Sequence, residues 1–298
     1  MLCPFPYFDM LERAPWTGVP RAGGAVETAC AQGVLWSATP PMSMHADKEH
    51  TSAARQLKLC TALISDCGRR RFWGGALEAL EKMVQRSLEP NVITYNAAMS
   101  ACEKCVQWRA AIRCLRQMPW RGVDSDTISY SAAVSSCEKG SQWLAASGLL
   151  REMPNRRVSS DTIIYNAAVS ACEKDRRWEV ALKLLSEMPW ASVAQTSVSL
   201  NAAISACEKG TQWPGAIRLL RAMRRSGLLP DIISFNAAIS ACEKGQHWQL
   251  ALHLLREMPL VGVAPDTISY SAAISAAEIG RQGQLAIDLL REMHARRG

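Results

Sequence analysis

No apolar run in this chain approaches the ~18 to 20 residues that a membrane-spanning helix requires, so no membrane partner is expected. Histidine is scarce, and His45, His50, His247, His253 and His294 share no common spacing. The G-x-x-x-x-G-K-[ST] phosphate loop and the H-E-x-x-H zinc helix are both missing, as is a nuclease-like acidic cluster. An enzyme is therefore not expected, and nothing implies a cofactor. Cys102 and Cys105 form a lone C-x-x-C. With no second pair and no histidine pair at finger spacing, they do not predict a zinc site.

What the chain does have is a beat. Tyr95, Tyr130, Tyr165, Phe235 and Tyr270 recur in steps of 35 residues, with Leu200 filling the gap. Cys102, Cys137, Cys172, Cys207 and Cys242 keep the same period. So do Trp108, Trp143, Trp178, Trp213 and Trp248, and Met118, Met153, Met188, Met223, Met258 and Met293. A fixed period in this range marks a solenoid, whose units are stable only when stacked. Six of the 11 cysteines, Cys67 included, thereby fall in one structural slot. A small apolar residue placed once per repeat reads as a buried packing residue in a reducing compartment. Hydrophobic content of 48% suffices for a core, and a net charge of +7 tilts mildly toward anionic partners.

Residues 1–56 do not share the period and are rich in Pro, Gly and Ala, which predicts an irregular leader with room for an organelle-targeting peptide. The repeats divide residues 57–298 into 57–91, 92–126, 127–161, 162–196, 197–231, 232–266 and an incomplete 267–298. Within a unit, Tyr95, Met99 and Cys102 form one helical stripe, and Trp108, Ile112, Leu115 and Met118 a second. The spacing predicts two antiparallel helices per unit. Gly140, Gly210, Gly245 and Gly280 are expected as left-handed C-caps, weakened where Cys105 and Asp175 replace them. Pro119, Pro154, Pro189 and Pro259 are expected to end the second helix. The tryptophans are expected in the core.

The phrase Val92-Ile93-Thr94-Tyr95-Asn96, the late Met118 and the closing Gly122-Val123 with Asp126 resemble the pentatricopeptide repeat. Gly262-Val263, Pro265 and Asp266 continue the likeness, which covers about residues 57 to 298 as P-type-like tandem units. Ala98, Glu103 and the tryptophan column depart from the family pattern without altering the architecture. The resemblance implies an all-α fold, a right-handed superhelical α-solenoid of about seven helix-turn-helix units. It also implies a single-stranded RNA partner, read one base per repeat. The chain ends within its repeats, so an appended catalytic domain is not expected.

On the first helix, Asn96 shares a polar stripe with Ser100 and Lys104. By resemblance, the base is chosen by the residue after the aromatic together with the last residue before the next unit. Thr61 with Asn91 then reads adenine, Asn96 with Asp126 uracil, and Ser131 with Asp161 guanine. Asn166 with Thr196 reads a pyrimidine, and Asn201 with Asp231 and Asn236 with Asp266 read uracil; Ser271 has no partner. The expected site resembles 5′-A-U-G-Y-U-U-3′. Ile93, Ile128, Ile163, Val198, Ile233 and Ile268 are expected against base faces, and Lys104, Lys139, Lys174, Lys209 and Lys244 at phosphates. The bland readings are N-caps for the aspartates and a solvated face for the lysines, partly cancelled by the neighbouring glutamates. The resemblance further implies a role in RNA processing, stability, editing or translation in a chloroplast or mitochondrion, with other RNA-processing proteins as further partners. The alternative is a helical scaffold that binds a protein or peptide.

Overall fold

A computed structural model describes residues 46–295, with side chains from Arg55 onward. Most of the expected leader, and any targeting role for it, lies outside these residues. The described residues form fourteen α-helices and no strand. In chain order they are α1 (Ala46–Arg69), α2 (Trp73–Gln85), α3 (Val92–Lys104), α4 (Trp108–Trp120), α5 (Thr127–Lys139), α6 (Trp143–Glu152) and α7 (Thr162–Lys174). Then come α8 (Trp178–Glu187), α9 (Ser197–Lys209), α10 (Trp213–Arg225), α11 (Ile232–Lys244), α12 (Trp248–Leu260), α13 (Thr267–Ile279) and α14 (Gly283–Ala295).

The chain divides at Ser136 and Cys137 into two compact units, the break falling inside α5. In the first unit α1 packs on α3, and each first helix packs on the second helix of its own pair. The second unit repeats this: α7 packs on α9, α9 on α11, and α11 on α13, while α8, α10 and α12 each bridge two first helices. Close stacking of first helices follows from small side chains. Ala98 and Ala101 in one unit, and Ala168, Ala203, Ala206, Ala238 and Ala241 in the other, are fully buried. A Cβ on Gly68 would stand 3.3 Å from the Ala101 Cβ, so backbone nearly meets backbone there. The aromatic column is core: Tyr95, Tyr130, Tyr165, Leu200, Phe235 and Tyr270 are all buried. So are the repeated cysteines from Cys102 to Cys242. Burial raises their pKa to about 12 at Cys137 and Cys172 and about 11 at Cys207 and Cys242, leaving inert thiols at neutral pH.

Four sequence expectations are corrected. Helix α1 begins at Ala46, so residues 46–56 are helical rather than irregular. No glycine or proline interrupts the chain from Ser43 to Cys67, which leaves nothing to break the helix. The prolines do not end the second helices uniformly. Pro119 and Pro259 lie inside α4 and α12, each of which runs one residue further. Pro154 and Pro189 instead open short 3₁₀ turns. In the last turn a proline removes a single helical hydrogen bond. The end of α4 is closed by Arg121 N–H to Met118 C=O at 3.0 Å and Val123 N–H to Met118 C=O at 2.9 Å.

The glycine column is not left-handed either. Gly210, Gly245 and Gly280 have φ of −87°, −81° and −73°. The left-handed residue is the next one, as at Val106, Ser141, Arg176, Thr211, Gln246 and Arg281. Glycine is needed for space. A Cβ at Gly210, Gly245 or Gly280 would sit 2.3, 2.5 and 2.3 Å from the Cδ1 of Trp178, Trp213 and Trp248 in the preceding repeat. Trp178, Trp213 and Trp248 are accordingly half-buried lids over the end of the next first helix, not core residues. The residue two positions past the glycine completes the lid. His247 lies 4.0 Å from Trp213 by ring centroids, and the Arg177 guanidinium lies 5.2 Å from the Trp143 ring.

Gly245→Ala should therefore lower stability by about 1–2 kcal/mol, since Trp213 must swing outward. Val106→Gly should raise it by up to about 1 kcal/mol, because a β-branched residue at φ 60° is strained. Thermal and denaturant unfolding of both variants checks the opposite signs.

Candidate functional site

The polar stripe begins with the residue that caps each first helix. Asn91, Asp126, Asp161, Thr196, Asp231 and Asp266 each accept a hydrogen bond from the backbone N–H three residues on, at 2.8 to 3.3 Å. At Thr196, Asp231 and Asp266 the N3 serine hydroxyl accepts from the cap backbone in return, completing a capping box. Both the end of one repeat and the start of the next are thus fixed by one side chain.

Three aspartates do more than cap. Asn96 donates from Nδ2 to the Asp126 carboxylate at 3.2 Å, Asn201 to Asp231 at 2.9 Å, and Asn236 to Asp266 at 3.1 Å. Residues 30 positions apart are joined side by side. Burial alone would raise the carboxyl pKa of Asp126, Asp231 and Asp266. Hydrogen bonds from the N3 serine N–H and from the asparagine amide, with the N3 hydroxyl close alongside, outweigh it and hold all three below the usual 3.8.

The other expected pairs differ. Thr61 and Asn91 are linked through Thr94, whose hydroxyl lies 3.2 Å from that of Thr61 and 2.8 Å from Asn91 Oδ1. Asn166 and Thr196 share no hydrogen bond, and the Asn166 Oδ1 is buried without a partner. Ser131 is half-buried in the first unit and Asp161 caps α7 in the second. Ser271 is exposed.

Beside this stripe stand Ile93, Ile128, Ile163, Val198, Ile233 and Ile268, between 58% and 67% exposed. Branched aliphatics held in water once per repeat contribute nothing to the core, so the fold does not account for them. The lysines are engaged. Lys174 pairs with Glu138 at 2.9 Å, Lys209 with Glu173 at 2.9 Å, and Lys244 with Glu208 at 2.7 Å, each reaching the glutamate of the preceding repeat. Ser240 also donates to Glu208, at 3.2 Å. Gly68 occupies the glutamate slot before Lys104, and Ile279 replaces the lysine that Glu243 would meet. Burial raises the Glu243 carboxyl pKa, Lys244 lowers it and Glu208 raises it further. Sequence reasoning missed two features here: the cross-repeat Glu–Lys ladder and the N3 hydroxyl. Both are legible as columns, but only the spatial offset pairs them.

A PPR repeat family model matches residues 90–139 and 230–277, a pentatricopeptide repeat domain model matches 56–104, and a PPR repeat model matches 163–193 and 198–228. Together they match more than half of the chain, which belongs to the pentatricopeptide repeat proteins. No curated protein matches it in sequence. Nuclear proteinaceous RNase P 2 (PRORP2) from A. thaliana is similar in structure, with a TM-score of 0.50, 11% identity, and coverage of 56% of this chain and 38% of that one. That likeness shows the helical repeat fold. The pentatricopeptide repeat protein PPR10 in complex with an 18-nt psaJ RNA element matches at TM-score 0.48 and 17% identity, covering 91% of this chain and 47% of that one. The PPR domain of Arabidopsis thaliana protein-only RNase P 1 (PRORP1) in complex with tRNA matches at 0.49 and 14%, covering 55% and 87%. This chain therefore spans about half the length of PPR10.

The three lowered carboxyls fix a sign. Their folded pKa lies below the unfolded 3.8, so their stabilisation is complete above that value and is lost as pH falls through the folded pKa. Chain stability should be flat in this contribution above about pH 5 and decline on acidification toward about pH 2. Asp266→Asn should make that decline shallower, measured by chemical unfolding at a series of pH values.

Proposed function

We propose that the chain binds single-stranded RNA in a sequence-specific manner, without catalysis, one base per repeat as pentatricopeptide repeats do. The observation that carries this reading is the pairing, within single repeats, of an exposed branched aliphatic with a hydrogen-bonded Asn–Asp couple. Ile93 stands beside Asn96 and Asp126, and Ile233 beside Asn236 and Asp266. An aliphatic side chain in water packs on a base face, and an amide beside it meets the Watson–Crick edge that an unpaired base leaves open. The names of two similar structures, PPR10 with its psaJ element and PRORP1 with tRNA, are consistent with an RNA partner.

On this reading Thr61 with Asn91 takes adenine, Ser131 with Asp161 guanine, Asn166 with Thr196 a pyrimidine, and the three Asn–Asp couples uracil, giving 5′-A-U-G-Y-U-U-3′. Ile128, Ile163, Val198 and Ile268 extend the aliphatic column. Lys174, Lys209 and Lys244 serve phosphate only by exchanging their glutamates for it, whereas Gly68 stands in the glutamate slot before Lys104. The bound transcript would be masked or remodelled, in organelle RNA processing, stability, editing or translation.

Selection from random RNA should return the six-base site. The double change Asn201→Thr with Asp231→Asn should then move the fifth base from uracil toward adenine and leave the rest. Affinity should fall with salt at a log–log slope of about −0.7 per phosphate contacted. No enrichment in selection, with binding indifferent to salt, would overturn the reading in favour of a protein or peptide partner.

A further inference from the structure

The N3 hydroxyl of the following repeat touches the base-reading amide directly. Ser129 Oγ lies 2.6 Å from Asn96 Oδ1, and Ser269 Oγ lies 2.5 Å from Asn236 Oδ1. Both serines are fully buried. Their second contacts are longer, 2.8 Å to Asp126 Oδ1 and 2.9 Å to Asp266 Oδ1. A hydroxyl carries one proton, and a carboxylate accepts only. The carboxylate therefore requires the NH₂ end of the amide to face it, and the serine proton goes to the amide oxygen. Each amide is pinned at both ends, with one N–H and one oxygen lone pair left over.

Those two remaining positions have a fixed order in space, and that order separates the pyrimidines. Uracil offers N3–H as a donor beside the C4 oxygen as an acceptor. Cytosine offers N3 as an acceptor beside the C4 amino group as a donor. The two bases have the same outline with donor and acceptor exchanged, so an amide free to turn over satisfies either. An amide that cannot turn satisfies one. We infer that Ser129 and Ser269 are positioning residues that, added to the carboxylate, lock the preceding repeat's asparagine and so sharpen its repeat's discrimination of uracil from cytosine. This rests on the base-reading function proposed above.

The same chain supplies the contrasts. Ser234 occupies the same slot and is equally buried, yet its hydroxyl goes to the Asp231 carbonyl and carboxylate, at 2.9 Å each, and Asn201 Oδ1 has no partner. Asn201 is pinned at its NH₂ end alone. Asn166 lacks both restraints. Its partner position is Thr196, its Oδ1 is unpartnered, and the Ser199 hydroxyl turns to the Thr196 carbonyl at 2.8 Å. Such an amide turns freely and accepts either pyrimidine. Thr94 shows that the slot tolerates a threonine.

The test uses the full chain and synthetic RNAs carrying 5′-AUGUUU-3′ between adenine flanks, with single uracil-to-cytosine changes at the second, fifth or sixth base. Affinity ratios by fluorescence anisotropy are the readout, alongside thermal unfolding of each variant. Ser269→Ala should collapse the uracil preference at the sixth base by about fivefold to tenfold, as expected for one hydrogen bond. Its affinity for the cytosine RNA should be kept, and Ser269→Thr should restore the preference. Ser129→Ala should do the same at the second base, giving an independent measurement if one variant folds poorly. Ser234→Ala should leave the fifth-base ratio within about twofold. The inference is overturned if Asn236→Ala abolishes the sixth-base preference while Ser269→Ala preserves it. It is equally overturned if Ser234→Ala matches Ser269→Ala, because the hydroxyl would then act only through the helix cap. A wild-type chain that binds this RNA with no preference at any of the three bases overturns the base-reading function itself.

Discussion

At three repeat junctions one carboxylate holds two jobs together. Asp231 starts α11 by accepting the Ser234 N–H at 2.9 Å, and the same carboxylate takes the Asn201 amide at 2.9 Å from the helix before it. The helix start cannot move without moving the partner of the preceding asparagine. Asp126 and Asp266 repeat the arrangement with Asn96 and Asn236. Capping contributes about 1 kcal/mol of stability, and here it also sets the position of a functional side chain. The geometry shows the capping reading of these aspartates, and the base contact proposed for them does not exclude it. A polar group placed by a helix terminus is held more rigidly than one on a free loop, which is what discrimination between similar bases requires.

Much of this was legible in the chain because a repeat averages out local ambiguity. One helical stripe with a few alanines decides little, but several copies at a constant spacing leave no other architecture. Two of the corrections share a cause: the glycine and the tryptophan were each assigned a role from their own unit when the role belonged to the neighbour. Gly245 looked like a backbone device and is a space left for Trp213. The tryptophans looked like core because they share the apolar stripe of their own helix, yet they cover the end of the next one. Lys209 has only the adjacent Glu208 in its own repeat, while its partner Glu173 lies 36 positions back. Interactions one repeat apart appear in sequence as unrelated columns, and only stacking brings them into contact.

The same offset decides how charge is used. A surface lysine paired at 2.7 to 2.9 Å gains at most about 1 kcal/mol from its glutamate. Exchanging that carboxylate for a phosphate is therefore close to neutral, and the freed glutamate is left facing the new anion. The ladder adds order between repeats more than it adds attraction for a polyanion. Its ends differ from its middle: Gly68 and Ile279 stand where the pairing residues would be, and the Glu243 pKa is raised beside that gap.

On the proposed RNA-binding reading, phosphate contacts supply only part of this surface's grip. The exposed aliphatics are the remaining source, since Ile93, Ile163 and Ile233 keep most of their area in water where the core gains nothing from them. Apolar packing on a base face is indifferent to which base is present, because each has the same flat aromatic surface. Selectivity must then come from the amides, and an amide is nearly symmetric in shape, so its value depends on being unable to turn over. The repeats differ in how firmly that is enforced: pinned at both ends at Asn96 and Asn236, at one end at Asn201, and at neither at Asn166. On the proposed reading, affinity is spread along the column, while fidelity is set repeat by repeat through buried hydroxyls.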